Sequence, residues 1–292
     1  MPEKIAAVIL AAGQGTRMKS DLPKVLHRVA GKAMLAYVVE TALALQASPI
    51  IPVVGHGADE VRDAMSNQDL RFALQAEQLG TGHALLCAEE ALNGFSGDLL
   101  LLCGDVPLLQ KKTLQALIDH HRQHAACVTI LTADMANPAG YGRIIRGAEG
   151  VDRIVEEKDA TNSERQVREI NTGIYLFRAP QVFSLLRDVD KCNAQGEYYL
   201  TDVVAAARQA GERVEALLID DAEEAMGIND QVQLAESGGI MRQRINNAHQ
   251  LAGVTLVDPA ATYIDAYVTI GAGTVINRGV HLRGRRNFGS GC

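Results

Sequence analysis

The sequence predicts an α/β fold: a mixed, mostly parallel sheet with crossover helices, then a helical arm and the first coils of a parallel β-helix. Three observations carry this expectation. Short β-rich apolar runs alternate with helical patterns as far as about His124, as in sheets whose strands are joined by crossover helices. A glycine-rich turn follows directly on the first apolar run, at the end of the sheet where open α/β folds bind ligands. Towards Cys292 the apolar spacing changes to six residues, the period of parallel β-helices.

Taken in order, Ala6 to Leu10, Ile50 to Val54, Arg71 to Leu74, Leu99 to Cys103 and Cys127 to Thr132 read as strands. Between them Met34 to Leu45 and Lys111 to His124 have helical apolar spacing, and Gly82 to Leu92 reads as a third helix. After Asn137-Pro138 the rhythm shifts. Tyr141 to Arg146, Val151 to Glu156 and Ile170 to Phe177 read as strands between polar turns, an insertion facing substrate. A helix at Tyr199 to Ala210 and a strand at Val214 to Ile219 return the chain to the main sheet, and Asp230 to His249 reads as a long polar helix, a connecting arm. Ile264, Ile270, Ile276, Leu282 and Phe288 then recur every six residues. Coils of this kind bury a core only by stacking on neighbours, and about five repeats are fewer than a complete solenoid needs.

Composition narrows the functional classes. With 292 residues and 47% hydrophobic content the chain can fill a substantial core. The formal charge of −7, from 28 basic and 35 acidic residues, argues against nucleic acid or an anionic membrane as partner. A bound phosphate therefore needs a local pocket. No stretch approaches the roughly 18 to 20 apolar residues of a membrane span, and the run Ile5 to Ala12 leads into Gly13, Gly15 and Arg17 rather than a signal-peptide cleavage site. Cys87, Cys103, Cys127, Cys192 and Cys292 form an odd, unpaired set, which points to a reducing cytoplasm.

Three segments carry chemistry. The first runs from Leu10 through Gly13, Gly15 and Arg17 to Met18, with Pro23-Lys24 beyond. Its glycines let backbone N–H groups face phosphate oxygens, and Arg17 and Lys24 add positive charge, a combination that suits a triphosphate. The Walker pattern fails for want of Gly-Lys-Ser/Thr, and the dinucleotide fingerprint fails because Met18 stands at its third small position. In the second segment, Gln75 to His83, Gln75 and the Gly80-Thr81 backbone can read a nucleobase edge, or Thr81 can merely cap a helix. In the third, Gly104-Asp105-Val106-Pro107 sets an acid just past a buried strand, either to hold Mg²⁺ against phosphates or to cap the following turn.

With Tyr141-Gly142-Arg143, Glu169 to Gly173 and Gly196 to Asp202, these segments resemble the bacterial bifunctional N-acetylglucosamine-1-phosphate uridyltransferase/glucosamine-1-phosphate acetyltransferase family over essentially the whole chain. The resemblance implies a Rossmann-like uridylyltransferase domain over 1–229, a helical linker over 230–250 and an incomplete left-handed β-helix, the start of the acetyltransferase domain, over 251–292. It implies Mg²⁺-dependent transfer of uridylyl from UTP to N-acetylglucosamine 1-phosphate, giving pyrophosphate and UDP-N-acetylglucosamine, a precursor of peptidoglycan and lipopolysaccharide. On the same ground Leu10, Ala11, Ala12, Gly13, Lys24, Gln75, Gly80, Thr81, Cys103, Gly104 and Asp105 are expected to contact the nucleotide. Gly142, Glu156, Asn171 and Asn229 are expected on the sugar side, with Glu157 the neighbouring acid one position from Glu156. Asp105 and Asn229 are the expected Mg²⁺ ligands, and Arg17, Lys24 and Asp105 the catalytic charges. The chain ends at Cys292, before the positions that bind acetyl-CoA in the family, so no acetyl transfer is expected, and the family's homotrimer, which leans on the β-helix, is in doubt here.

Two other readings compete: a sugar nucleotidyltransferase using another base or hexose phosphate, and a non-catalytic nucleotide-sugar sensor. Substrate competition separates the first; product binding without pyrophosphate release would mark the second. His120 and His124 share a helix face and could hold a metal, yet the spacing supplies no third ligand, so an exposed helix end is the simpler expectation. Arg283 to Arg286 reads as a solvated corner, and Cys103 as a small buried residue rather than a nucleophile.

Overall fold

The computed structural model describes residues 4–148, 150–189 and 193–292; Cys192 lies outside the described residues. The chain opens with β1 (Ile5–Ala11), a short hairpin of β2 (Arg28–Val29) and β3 (Lys32–Ala33), α1 (Met34–Ala44), β4 (Ile50–Val54), α2 (Ala58–Ala64) and β5 (Ala73–Leu74). It continues with α3 (Thr81–Cys87), β6 (Gly97–Cys103), α4 (Lys111–Gln123), β7 (Val128–Asp134) and a second hairpin, β8 (Arg143–Gly147) and β9 (Gly150–Val155). Next come β10 (Glu169–Ala179), α5 (Gln181–Arg187), α6 (Asp202–Gln209), β11 (Val214–Leu218) and the long α7 (Gln231–Leu251). The two-residue strands β12 (Thr255–Leu256), β13 (Tyr263–Ile264), β14 (Thr269–Ile270), β15 (Val275–Ile276), β16 (His281–Leu282) and β17 (Asn287–Phe288) complete the order.

The main sheet runs β11-β7-β10-β6-β1-β4-β5, with β8 and β9 attached beside β10. β1 pairs in parallel with β4 and β6, and β7 with β11, as the crossover pattern predicts. β10 corrects one expectation. It is not part of an insertion but a central strand, antiparallel to both β6 and β7; only β8 and β9 stand off the main path.

Side chains of adjacent residues in a strand point to opposite faces, and both faces of this sheet are apolar. Ala6, Val8, Leu99 and Leu101 pack on one side with Leu85 of α3, Phe183 of α5 and Val203 of α6. Ala7, Ile9, Leu100 and Leu102 pack on the other with Leu35 of α1, Val61 of α2 and Leu114 of α4. Two covered faces leave the loops beyond the carboxyl ends of β1 and β6 as the open rim of the sheet.

α7 begins at a well-made cap: the Asp230 carboxylate accepts from the N–H groups of Val232 and Gln233, both at 2.9 Å. Its far end is fixed to the coils by Asn246, 1% exposed, whose amide donates to the carbonyls of Pro259 at 2.8 Å and Thr262 at 3.0 Å. In the coils β12 pairs with β15, β13 with β16 and β14 with β17, all in parallel. Each strand thus meets the one three strands later, so three six-residue repeats make one coil of a parallel β-helix. Ile264, Ile270 and Ile276 are buried inside it with Val254, Leu256 and Val268.

Candidate functional site

A cleft of about 330 Å³ opens on that rim. Leu10, Ala11, Ala12 and Gly13 form one wall, Lys24, Cys103 and Asp105 the floor, and Gln75, Gly80 and Thr81 the opposite wall. Ten residues expected to touch nucleotide are therefore brought together from β1, β6, the loops around them and the start of α3.

The loop after β1 owes its path to Gly15, whose φ of +63° is left-handed and whose Cβ, if it had one, would lie 2.7 Å from Lys24 Cβ. Only a glycine lets the loop lie against that lysine. Lys24 Nζ in turn donates to the Asp105 carboxylate and, at 3.1 Å, to Asn229 Oδ1. The Lys24 and Asp105 side chains are only 15% and 18% exposed. Asp105 does not cap the turn that follows it; its carbonyl accepts from Ile228 N at 3.0 Å, which draws Asn229 to the site. Gln231 Nε2 donating to Met18 O at 3.1 Å secures the same junction.

A carboxylate and an amide oxygen that converge on one ammonium form a pair of hard oxygen donors already aimed at a cation. Mg²⁺ binds through one or two such protein oxygens and completes its shell with water and substrate phosphate. Asp105 and Asn229 fit that role.

The side of the cleft made by Gln75, Gly80 and Thr81 is fixed by hydrogen bonds and close backbone packing. Gln75 is 4% exposed, and its Nε2 is committed to Gly80 O at 3.0 Å and to His83 Nδ1 at 3.1 Å. Its Oε1 is left to accept from a ligand donor. Gly80 has φ +109°, and a Cβ there would sit 2.6 Å from Tyr198 O, so this wall abuts the 196–202 segment. Thr81 caps nothing: α3 has no side-chain cap, and the Thr81 hydroxyl accepts from Leu200 N at 3.1 Å.

Three of the four residues expected on the sugar side lie together, whereas Asn229 stands at Lys24 instead. A Cβ on Gly142 would be 3.5 Å from both Asn171 Cβ and Glu156 Oε1, so these three converge. Glu156 also accepts from Thr201 Oγ1 at 3.2 Å, and burial pushes its carboxyl above the usual carboxylate range. Glu157 faces away: it accepts from Arg143 Nη2 at 2.7 Å and Gly140 N at 3.2 Å, and the arginine holds its pKa down. Of the two adjacent acids, Glu156 is the one in this group. Cys103 joins the two regions by donating its thiol to Gly173 O at 3.4 Å; burial raises that thiol to about 12, so it is no nucleophile.

Two expected residues lie elsewhere. Arg17 is exposed on the turn after β1 and is not among the lining residues, and Gly104 packs behind the cleft, where a Cβ would meet Leu10 O at 3.1 Å. No local signal in the sequence marks Gln78, Glu197 or Thr201. Gln78 Nε2 donates to Ala12 O at 2.8 Å and lines the cleft with Glu197. All three sit within recognised segments, but only tertiary contacts distinguish them from their neighbours.

The chain is 57% identical over 290 residues to Bifunctional protein GlmU of Syntrophotalea carbinolica, covering 99% of this chain and 62% of that protein. It is 53% identical to Bifunctional protein GlmU of Geobacter metallireducens over 99% of this chain and 61% of the relative, and 52% identical to that of Streptococcus suis over 97% and 62%. The chain thus spans 61–62% of the length of these curated relatives. In fold it is similar to a solved structure of a candidate glucose-1-phosphate thymidylyltransferase from Bacillus anthracis in complex with a sucrose, with a TM-score of 0.64, 17% identity and coverage of 81% of this chain and 94% of that one. The profile of the MobA-like NTP transferase domain matches residues 7–226, which contain the whole cleft wall from Leu10 to Asp105, and the chain belongs to that family.

Proposed function

We propose that the chain transfers uridylyl from UTP to N-acetylglucosamine 1-phosphate, releasing pyrophosphate and forming UDP-N-acetylglucosamine. The observation that carries this reading is the meeting of the Leu10 to Gly13 segment, Lys24, Asp105 and Gln75 in one cleft, together with the convergence of Gly142, Glu156 and Asn171. In this reading residues 1–229 are the transferase unit, 230–250 the linker and 251–292 the β-helix, and the enzyme works in the cytoplasm. No helix among the described residues is long and apolar enough to cross a membrane.

The phosphate oxygen of the sugar phosphate attacks the α-phosphorus of UTP in line with the departing pyrophosphate: one P–O bond forms and the bond to the β-phosphate breaks. The attacking oxygen is anionic near neutral pH, so no side chain needs to remove a proton. Alignment and charge compensation remain as the work of the protein. Backbone N–H groups of the Leu10 to Gly13 segment hold the triphosphate and Lys24 stabilises charge on pyrophosphate, while Arg17, exposed outside the cleft, is left without that role. Gln75 Oε1 accepts from the uracil N–H, and Glu156, Asn171 and the Gly142 backbone hold the sugar. Asp105 and Asn229 would hold Mg²⁺, which would neutralise phosphate charge when bound. The test is Asp105→Ala, assayed across Mg²⁺ concentrations. Turnover at limiting Mg²⁺ should collapse, and near-native turnover there rejects the assignment.

A further inference from the structure

His120, on α4, and His124, which caps its end, acquire in the fold what the sequence did not supply. His120 and His124 lie one helical turn apart, with ring centroids 4.2 Å apart. β11, paired with β7 at the end of the sheet, brings Glu215 beside them, with Glu215 Oε2 3.6 Å from His120 Nε2. One ligand atom from each of the three residues lies within 4.8 Å of the others.

The hydrogen bonds around the cluster fix the His124 tautomer and one Glu215 oxygen and leave His120 Nε2 unmet. His124 Nδ1 is 2.8 Å from the His120 carbonyl. A carbonyl only accepts, so Nδ1 carries the proton and the lone pair of His124 rests on Nε2. His120 Nε2 is shut off from solvent and has no hydrogen-bond partner among the described residues, an arrangement that is costly unless something meets it. Arg213 Nε donates to Glu215 Oε1 at 2.7 Å, fixing the carboxylate and leaving Oε2 towards the imidazoles. Outer-shell bonds of this kind orient the ligands of metal sites.

We propose that His120, His124 and Glu215 form a site for a borderline divalent metal of the Zn²⁺ class, distinct from the Asp105 and Asn229 pair. Two imidazoles and one carboxylate suit Zn²⁺ and leave its fourth position to water, whereas Mg²⁺ prefers an all-oxygen shell. Nitrogen and oxygen ligands about 2.0–2.1 Å from zinc stand about 3.3 Å from one another. The cluster therefore closes through side-chain rotation. α4 leaves the Asp105 loop at its first residue and carries the histidines at its other end, about 20 Å away along its axis. The metal would clamp the end of α4 to β11, away from the reaction.

The experiment uses the untagged chain, stripped with a chelator and titrated calorimetrically with ZnCl₂ in the presence of Mg²⁺. One Zn²⁺ should bind per chain, with affinity reduced at least about tenfold in His124→Gln and in Glu215→Gln. Co²⁺ should give visible d–d absorption in the native chain that both variants lose. ZnCl₂ should raise the melting temperature of the native chain and not that of the variants, while uridylyl transfer by the variants stays unchanged. Native-strength Zn²⁺ binding in both variants, or no Zn²⁺ uptake by the native chain, overturns the proposal. Should one variant fail to fold, the other decides by the same criteria.

Discussion

Replacing Lys24 with methionine removes one ammonium while keeping a straight aliphatic stem against Gly15. The ammonium serves both the Asp105 carboxylate and Asn229 Oδ1. Removing one partner of a fully buried ion pair costs about 3–5 kcal/mol, while exposed pairs are worth about 1 kcal/mol at most. With side chains 15% and 18% exposed, this pair stands nearer the buried limit, and a loss of about 2–3 kcal/mol follows. For a protein of this size that lowers the melting temperature by about 3–5 °C. The same removal clears the cation position between the two oxygens. Mg²⁺ at about ten times its dissociation constant should then restore about 1.4 kcal/mol to the variant, and less to the native chain, where the lysine competes. Scanning calorimetry of both proteins with and without MgCl₂ reads the two effects, and steady-state assays should show kcat about 10²–10³ lower. A variant that melts with the native chain and responds identically to Mg²⁺ would refute this account of the site.

Two further changes separate scaffold from chemistry. Glu224 is 2% exposed and accepts from Gln110 N at 3.1 Å, Gln110 Nε2 at 2.8 Å and Thr113 Oγ1 at 2.5 Å, holding the start of α4. Glu224→Ala should cost about 3 kcal/mol in denaturant unfolding, with substrate KM values unchanged. Glu156→Gln should raise the KM for the sugar phosphate about tenfold and leave that for UTP alone. Because burial raises the Glu156 pKa in the folded chain, the folded state holds that proton to higher pH than the unfolded one. Glu156 therefore favours folding below the ordinary carboxylate range relative to neutral pH, and this contribution is lost as pH rises through the raised value. The glutamine variant should accordingly gain melting temperature over the native chain at pH 7 and lose that gain as the pH falls into the carboxylate range.

What the sequence discloses follows the range of the interactions involved. β4 matches its expected span from Ile50 to Val54, and α1 and α4 end one residue short of theirs, because local apolar spacing suffices to define them. α3 stops at Cys87 instead of continuing to Leu92, and a 3-10 turn at Glu90–Leu92 takes its place. α6 begins at Asp202 rather than Tyr199, because the residues before it close tighter three-residue turns, with Asp202 N donating to Tyr199 O at 3.3 Å and Val203 N to Leu200 O at 3.1 Å. The placement of β10 is the clearest failure: its partners are strands far away in sequence, and no local pattern encodes its antiparallel entry between them. The site divides in the same way. Leu10 to Gly13, Lys24 and Asp105 were readable from glycine and charge spacing at strand ends, whereas Gln78, Thr201 and Glu215 gain their roles only from chains of contact that folding creates.

The central claim is tested most directly by mixing the purified chain with UTP, N-acetylglucosamine 1-phosphate and MgCl₂, then measuring pyrophosphate release and identifying the product by mass. The account predicts pyrophosphate and UDP-N-acetylglucosamine in equal amounts, dependent on both substrates and on the metal, with other nucleoside triphosphates and glucose 1-phosphate turned over far more slowly. Binding of UDP-N-acetylglucosamine without pyrophosphate release, or equal turnover of another base or hexose phosphate, would contradict it.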